Sequence, residues 1–161
     1  MQSPVQLVAL LRPSTRPVLL AATAVSSVVF TTTPFLLTPI ADDFDISIGA
    51  SSLVSTMQLG GFVIGSSMAG RRLEPNDRVL FGALAAAITA NLLSAFAPTF
   101  VLLLALRVGS GLALGIISWI AWAEVFGQKD RMGDIAVVGP VVGIFGAPLA
   151  GALVEWRGAE A

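Results

Sequence analysis

The chain has 161 residues, 55% of them hydrophobic and 12% charged, with a net charge of −1. A soluble domain of this length cannot hide that much apolar surface, so lipid is the expected solvent. With no Cys and no His, disulfides, structural zinc and thiol or imidazole catalysis drop out, and the charge balance gives no reason to expect nucleic acid as a partner.

In chain order, Arg12 and Arg16 precede an apolar run over about 17–40. That run exceeds the ~7–15 residues of a signal-peptide core, so Ala22-Thr23-Ala24 is expected to remain inside a retained span. A crossing helix needs about 20 apolar residues. Four further runs qualify, at about 48–69, 78–97, 99–123 and 135–154. The expected fold class is therefore all-α: a five-helix membrane bundle over 17–156, between an N-terminal segment 1–16 and a cut-off outer end 157–161.

The connections alternate in charge. "ADDFDIS" is acidic, "GRRLEPNDR" is basic, "APT" is an uncharged turn, and "EVFGQKDRMGD" carries Lys129 and Arg131. Arg12, Arg16, Arg71, Arg72, Arg78, Lys129 and Arg131 fall on one side of such a bundle and Arg157 alone on the other. The positive-inside rule then places the N-terminus in the cytoplasm and the end of the fifth span outside. Asp42, Asp43 and Asp45 read as a solvated cap rather than a metal site, with Asp45 in a helix-cap region. In the basic loop Pro75, Asn76 and Asp77 are turn formers, and Asp77 is expected to tolerate a left-handed backbone.

Small residues recur at four-residue spacing: Gly61, Gly65 and Ala69; Ala83, Ala87 and Ala95, with Asn91 on their face; Gly111 and Gly115; Gly139, Gly143, Ala147 and Gly151. Residues four apart share a helix face, and small faces let helices approach closely in lipid. Thr31, Thr32, Thr33, Gln58 and Asn91 are polar groups within spans, read first as interhelical hydrogen-bonding groups and second as lining of a path. Trp119, Trp122 and Trp156 read as interface or packing aromatics.

Arg107 is the costliest residue. It lies ~12 Å into its span, at 1.5 Å per residue. An arginine at such depth costs about 2.5–3.5 kcal/mol on insertion scales. It is expected to face the bundle interior or a watery cavity. Two readings stand: a functional charge, or a tie that caps carbonyls freed by Pro34 and Pro39 in the first helix.

Several motifs resemble those of the major facilitator superfamily. "RVGSG" in the fourth helix is similar to its Arg-x-x-x-Gly signature, carried by Arg107 and Gly111. "TPIADDFDIS" resembles the exit of its first helix. "GRRLEPNDR" resembles its Gly-x-x-x-Asp-x-x-Gly-Arg loop: Gly70 and Arg78 match, Glu74 stands for the Asp, and Asp77 replaces the second Gly. "GIFGAPLAGA" resembles a helix-five motif of drug:proton antiporters, matched at Gly143, Pro148 and Gly151, with Ala147 and Ala152 replacing glycines. "EWRG" resembles the segment before helix six.

The resemblance covers nearly the whole chain. It implies five helices of an incomplete six-helix half, with the remaining helices supplied by a longer protein in the plasma (cytoplasmic) membrane. It implies secondary transport, most specifically proton-coupled efflux of a small molecule, with no cofactor, no metal and no enzymatic activity. The implied path or coupling residues are Arg107, Gly111, Asn91 and Gln58. The implied loop cluster is Gly70, Glu74 and Arg78, with Arg71, Arg72 and Glu124 joining by their charge. A symporter or facilitator, or a non-transporting truncated partner or scaffold, are the alternatives.

Overall fold

The computed structural model describes residues 15–159, so most of the expected N-terminal segment and the last two residues lie outside it. Every element among the described residues is helical. They are α1 (Pro17–Thr32), a 3-10 turn (Thr33–Leu36), α2 (Leu37–Asp43), α3 (Ile48–Ser51), α4 (Leu53–Arg72), α5 (Asp77–Ser94), α6 (Phe100–Val125) and α7 (Lys129–Ala159). Grouped by length and apolarity they make five units able to cross a membrane: Pro17–Asp43, Ile48–Arg72, Asp77–Ser94, Phe100–Val125 and Lys129–Leu153. The fold is a multi-pass membrane helix bundle, as the apolar runs require.

Local chemistry sets the boundaries. Pro34 has no N–H and sits in the 3-10 turn that joins α1 to α2. Ahead of it, the Thr32 and Thr33 hydroxyls donate to the carbonyls of Val28 and Val29, at 2.9 and 2.7 Å. Pro39 falls in the first turn of α2, where a backbone donor has no intrahelical partner anyway. Asn76 caps α5 by accepting from the Val79 N–H at 3.0 Å, and Thr99 caps α6 by accepting from Leu102 at 3.3 Å.

Four boundary readings change. Asp45 is not a cap: it takes the left-handed region at φ 51°, and Ser47 caps α3 by accepting from Ala50 at 3.1 Å. Asp77 is not left-handed: it opens α5, where its charge suits the helix N-terminus. The fifth helix begins at Lys129 rather than near 135, because Gly127 at φ 83° reverses the chain within a few residues. It then runs through Pro140 and Pro148 to Ala159, so the expected outer end at 157 is still helical.

The bundle is organised around α6. In its membrane window 44% of residues are buried, against 6% for the fifth span. Both α4 and α5 pack along α6, while α1 packs on α7 and touches α6. The glycine stripes explain the α4–α6 pairing. A methyl group on Gly61 or Gly65 would strike the backbone carbonyls of Val108 or Leu112. One on Gly111 or Gly115 would strike those of Gln58 or Phe62. The two stripes interlock, and the Ser66 hydroxyl crosses the seam to the Gly115 carbonyl at 3.0 Å. Around this seam Leu80, Leu114, Ile117 and Ile120 form the core, all fully buried. Val63, Ile64, Phe81, Ile88, Ile144, Phe145 and Leu149 stay exposed, as a lipid-facing surface requires.

Candidate functional site

α6 carries Arg107 on its inward face, 7% exposed. Its Nη1 donates to the Asn91 Oδ1 at 3.5 Å, a long bond, while its Nε has no partner. No carboxylate of a described residue lies within ion-pair distance. The guanidinium has five donors and spends few of them. Its flank opens on a cleft of about 660 Å³ between the bent first span, α5 and the start of α6. Thr32, Asn91 and Ser94 add polar groups to that cleft, and Asp43, from the last turn of α2, lines it too. The expected interior position beside the bent first helix is therefore observed. The expected capping of carbonyls freed by the prolines is not: the one hydrogen bond of Arg107 among the described residues goes to the Asn91 side chain.

Asn91 orients the arginine. Its Nδ2 donates to the Ala87 carbonyl and to the Ser110 hydroxyl, both at 2.8 Å. That leaves Oδ1 directed at Arg107, and one amide ties α5 to α6. Ser110 is wholly buried and was not singled out from the sequence; its position three residues after Arg107 is the signal that points to it.

Gln58 is 1% exposed and lies on α4 rather than on the cleft. Its Oε1 lies 3.4 Å from the Thr33 hydroxyl, whose proton is directed mainly at Val29, and its Nε2 is unpartnered. Gly111 faces the Gln58 backbone, so its visible role is the close approach of α4 and α6.

At the basic end the charges arrange differently from the expected loop cluster. Arg16 is the hub. Its Nη2 pairs with Asp77 at 2.8 Å and its Nη1 with Glu124 at 3.2 Å, joining the starts of α1 and α5 to the end of α6. The guanidinium is held above its ordinary pKa, first by the hydrogen bond to Asp77, then by the charges of Asp77 and Glu124. Glu74, Arg71, Arg72 and Arg78 are exposed and form no ion pair with a described residue. Glu74 offers only its carbonyl, which accepts from the Asn76 side chain at 3.0 Å. Glu124 joins the cluster as expected, and Gly70 lies beside the Trp119 indole. From the sequence Arg16 reads only as a topogenic charge; it stands directly before the proline that opens α1. Thr15 adds a second tie, its N–H donating to Asp134 at 2.9 Å.

The helix-five residues lie apart from this network. Gly143 faces open space, Pro148 is exposed, and Gly151 lies near the Phe35 ring. Among the described residues no group of His, Cys, Asp or Glu is placed to hold a metal ion.

No family model matches the chain, and no curated protein or solved structure matches it either. Fold and site define the class directly: an all-helical, multi-pass membrane protein with a buried arginine beside a cleft between its spans.

Proposed function

We propose that this chain forms the first five spans of a secondary transporter of the major facilitator type, acting in the plasma membrane with its N-terminus in the cytoplasm. The most specific form of the reading is proton-coupled efflux of a small molecule. The observation that carries it is Arg107. An arginine nine-tenths buried within a span, short of partners and beside a cleft with polar walls, marks a solute or proton pathway more readily than a packing tie. Asp43 supports the coupling part, since it brings an ionisable acid to the same cleft. The order of the motifs, from the first-helix exit to helix five, supports the family reading.

The test uses the full-length protein in vesicles with an imposed pH gradient and a panel of radiolabelled solutes. Arg107→Leu removes a charge that lipid disfavours, so the variant accumulates normally and loses transport. Arg107→Lys keeps the charge without the planar five-donor fork and retains partial transport. Normal abundance with normal transport for Arg107→Leu refutes the pathway role. Absence of gradient-driven flux of any solute in the parent protein favours a non-transporting partner or scaffold.

A further inference from the structure

A second cleft, of about 310 Å³, opens where α1, α4, α6 and α7 meet, toward the basic end of the bundle. Its size falls at the small end of the range for ligand pockets, ~300–1,000 Å³. Two features of its lining define what it can hold.

The first is the state of its hydroxyls. Thr23, Ser26 and Ser27 line it from consecutive turns of α1. Each has already donated its proton to the carbonyl four residues back: Thr23 to Leu19 at 2.8 Å, Ser26 to Ala22 at 3.0 Å, and Ser27 to Thr23 at 2.9 Å. Their oxygens retain lone pairs and have no hydrogen left to give. On this wall the cleft accepts hydrogen bonds only. Thr31 and Ser118 also line it, carry no hydrogen bond to a described residue, and can turn to meet a ligand's own acceptor.

The second feature is the rest of the wall. Phe30 and Phe62 meet edge to face, with ring centres 5.3 Å apart, and Trp122 stands with them. Among the described residues that line the cleft there is no Asp, Glu, Lys or Arg. An ion of either sign would be buried there without a counter-charge, which costs far more than the hydroxyls can return. Aromatic walls favour a flat, apolar body.

We propose that this cleft is a binding site for a small, uncharged aromatic molecule that donates a hydrogen bond, a phenol being the simplest form. The site belongs to the five spans themselves and does not rest on the transport reading. It is separate from the Arg107 cleft, whose lining shares none of these residues.

The probes are 4-bromophenol, its methyl ether 4-bromoanisole, and 4-bromobenzylammonium. Bromine quenches tryptophan fluorescence only at short range, so Trp122 reports occupancy. The signal is the saturable part of the quenching of the full-length protein in phosphatidylcholine nanodiscs, above the linear response that partition into lipid gives. The phenol is expected to bind about fivefold to tenfold tighter than the ether, the value of the one net hydrogen bond by which they differ. The ammonium compound is expected to give no saturable signal. Ser27→Ala removes one acceptor and should weaken the phenol about threefold to tenfold while leaving the ether unchanged. Equal midpoints for phenol and ether, or tighter binding of the ammonium compound, overturn the proposal. If Ser27→Ala does not fold, the comparison of phenol with ether on the parent protein decides alone.

Discussion

Replacing Gly111 with Ala tests the packing at the centre of the bundle against an internal control two residues away. A β-carbon at Gly111 would overlap the Gln58 carbonyl oxygen and stand 2.9 Å from its carbon and 3.0 Å from the Phe62 nitrogen. All three obstacles are backbone, so no rotamer change relieves them and α4 must move off α6. A β-carbon at Gly109 meets nothing within 4 Å. Both substitutions gain about 1 kcal/mol of helix propensity, which cancels in the comparison. What remains at Gly111 is overpacking against rigid atoms, about 1–3 kcal/mol, and the absence of a side chain that can yield points to the upper end. Gly109→Ala should therefore be neutral or slightly stabilised, and Gly111→Ala should lie about 2–3 kcal/mol below it. The assay is reversible unfolding by dodecyl sulfate in mixed micelles, followed by the fluorescence of Trp119 and Trp122. Superimposable transitions for the two variants would show that the interlocked glycines do not determine the α4–α6 distance.

Four further outcomes follow from the geometry. Gly127→Ala forces a β-carbon into the left-handed region and should cost about 1 kcal/mol in the same assay, with Gly127→Asn costing less; equal effects would refute the backbone argument. Asn91→Leu leaves Arg107 without its acceptor and should destabilise by about 1–3 kcal/mol, part of which the double variant with Arg107→Leu recovers; simple additivity would show that the two side chains are not coupled. Asp77→Asn should speed amide exchange in the first turn of α1, which Arg16 anchors, while Glu74→Ala leaves it unchanged; the reverse order would restore Glu74 to the cluster. Reporter fusions after Pro75, Pro98 and Lys129 should read inside, outside and inside, and an inside reading after Pro98 would contradict the orientation drawn from the basic residues.

The membrane spans were legible because each is a long apolar run that no soluble fold accommodates. The burial of Arg107 was legible for a related reason: a charge at that depth has few places to go. The glycine repeats announced close packing but not the partners. Gly61 and Gly65 look the same in sequence as Gly139 and Gly143, yet only the first pair meets backbone across a seam. Pairing depends on which helix lies opposite, and one helix's periodicity carries nothing about that. The ion pairs were the least legible. Glu74 holds the position that the loop motif suggested, but its side chain points into open surroundings, whereas Arg16 reaches two acids that lie 61 and 108 residues away in sequence. Ser110 went unnoticed because serine in a span usually satisfies itself on its own helix, as Ser26 and Ser27 do here.

The central place of α6 bears on the order in which the protein is made. The first three spans leave the ribosome before it. The second and third pack along α6 and hardly approach each other, while the first lies mainly on α7, which is made later still. Until residue 125 is synthesised, the second and third spans have no common surface on which to assemble, and each must wait in lipid or beside the insertion machinery. The late helix also brings the buried arginine. Its acceptor on α5 is already in place when it arrives, so the step that joins the second and third spans is also the step that gives the charge its partner. Assembly of the second and third spans is thereby gated at one helix, and a defect in α6 should strand both, inserted but unassembled, for quality control to remove.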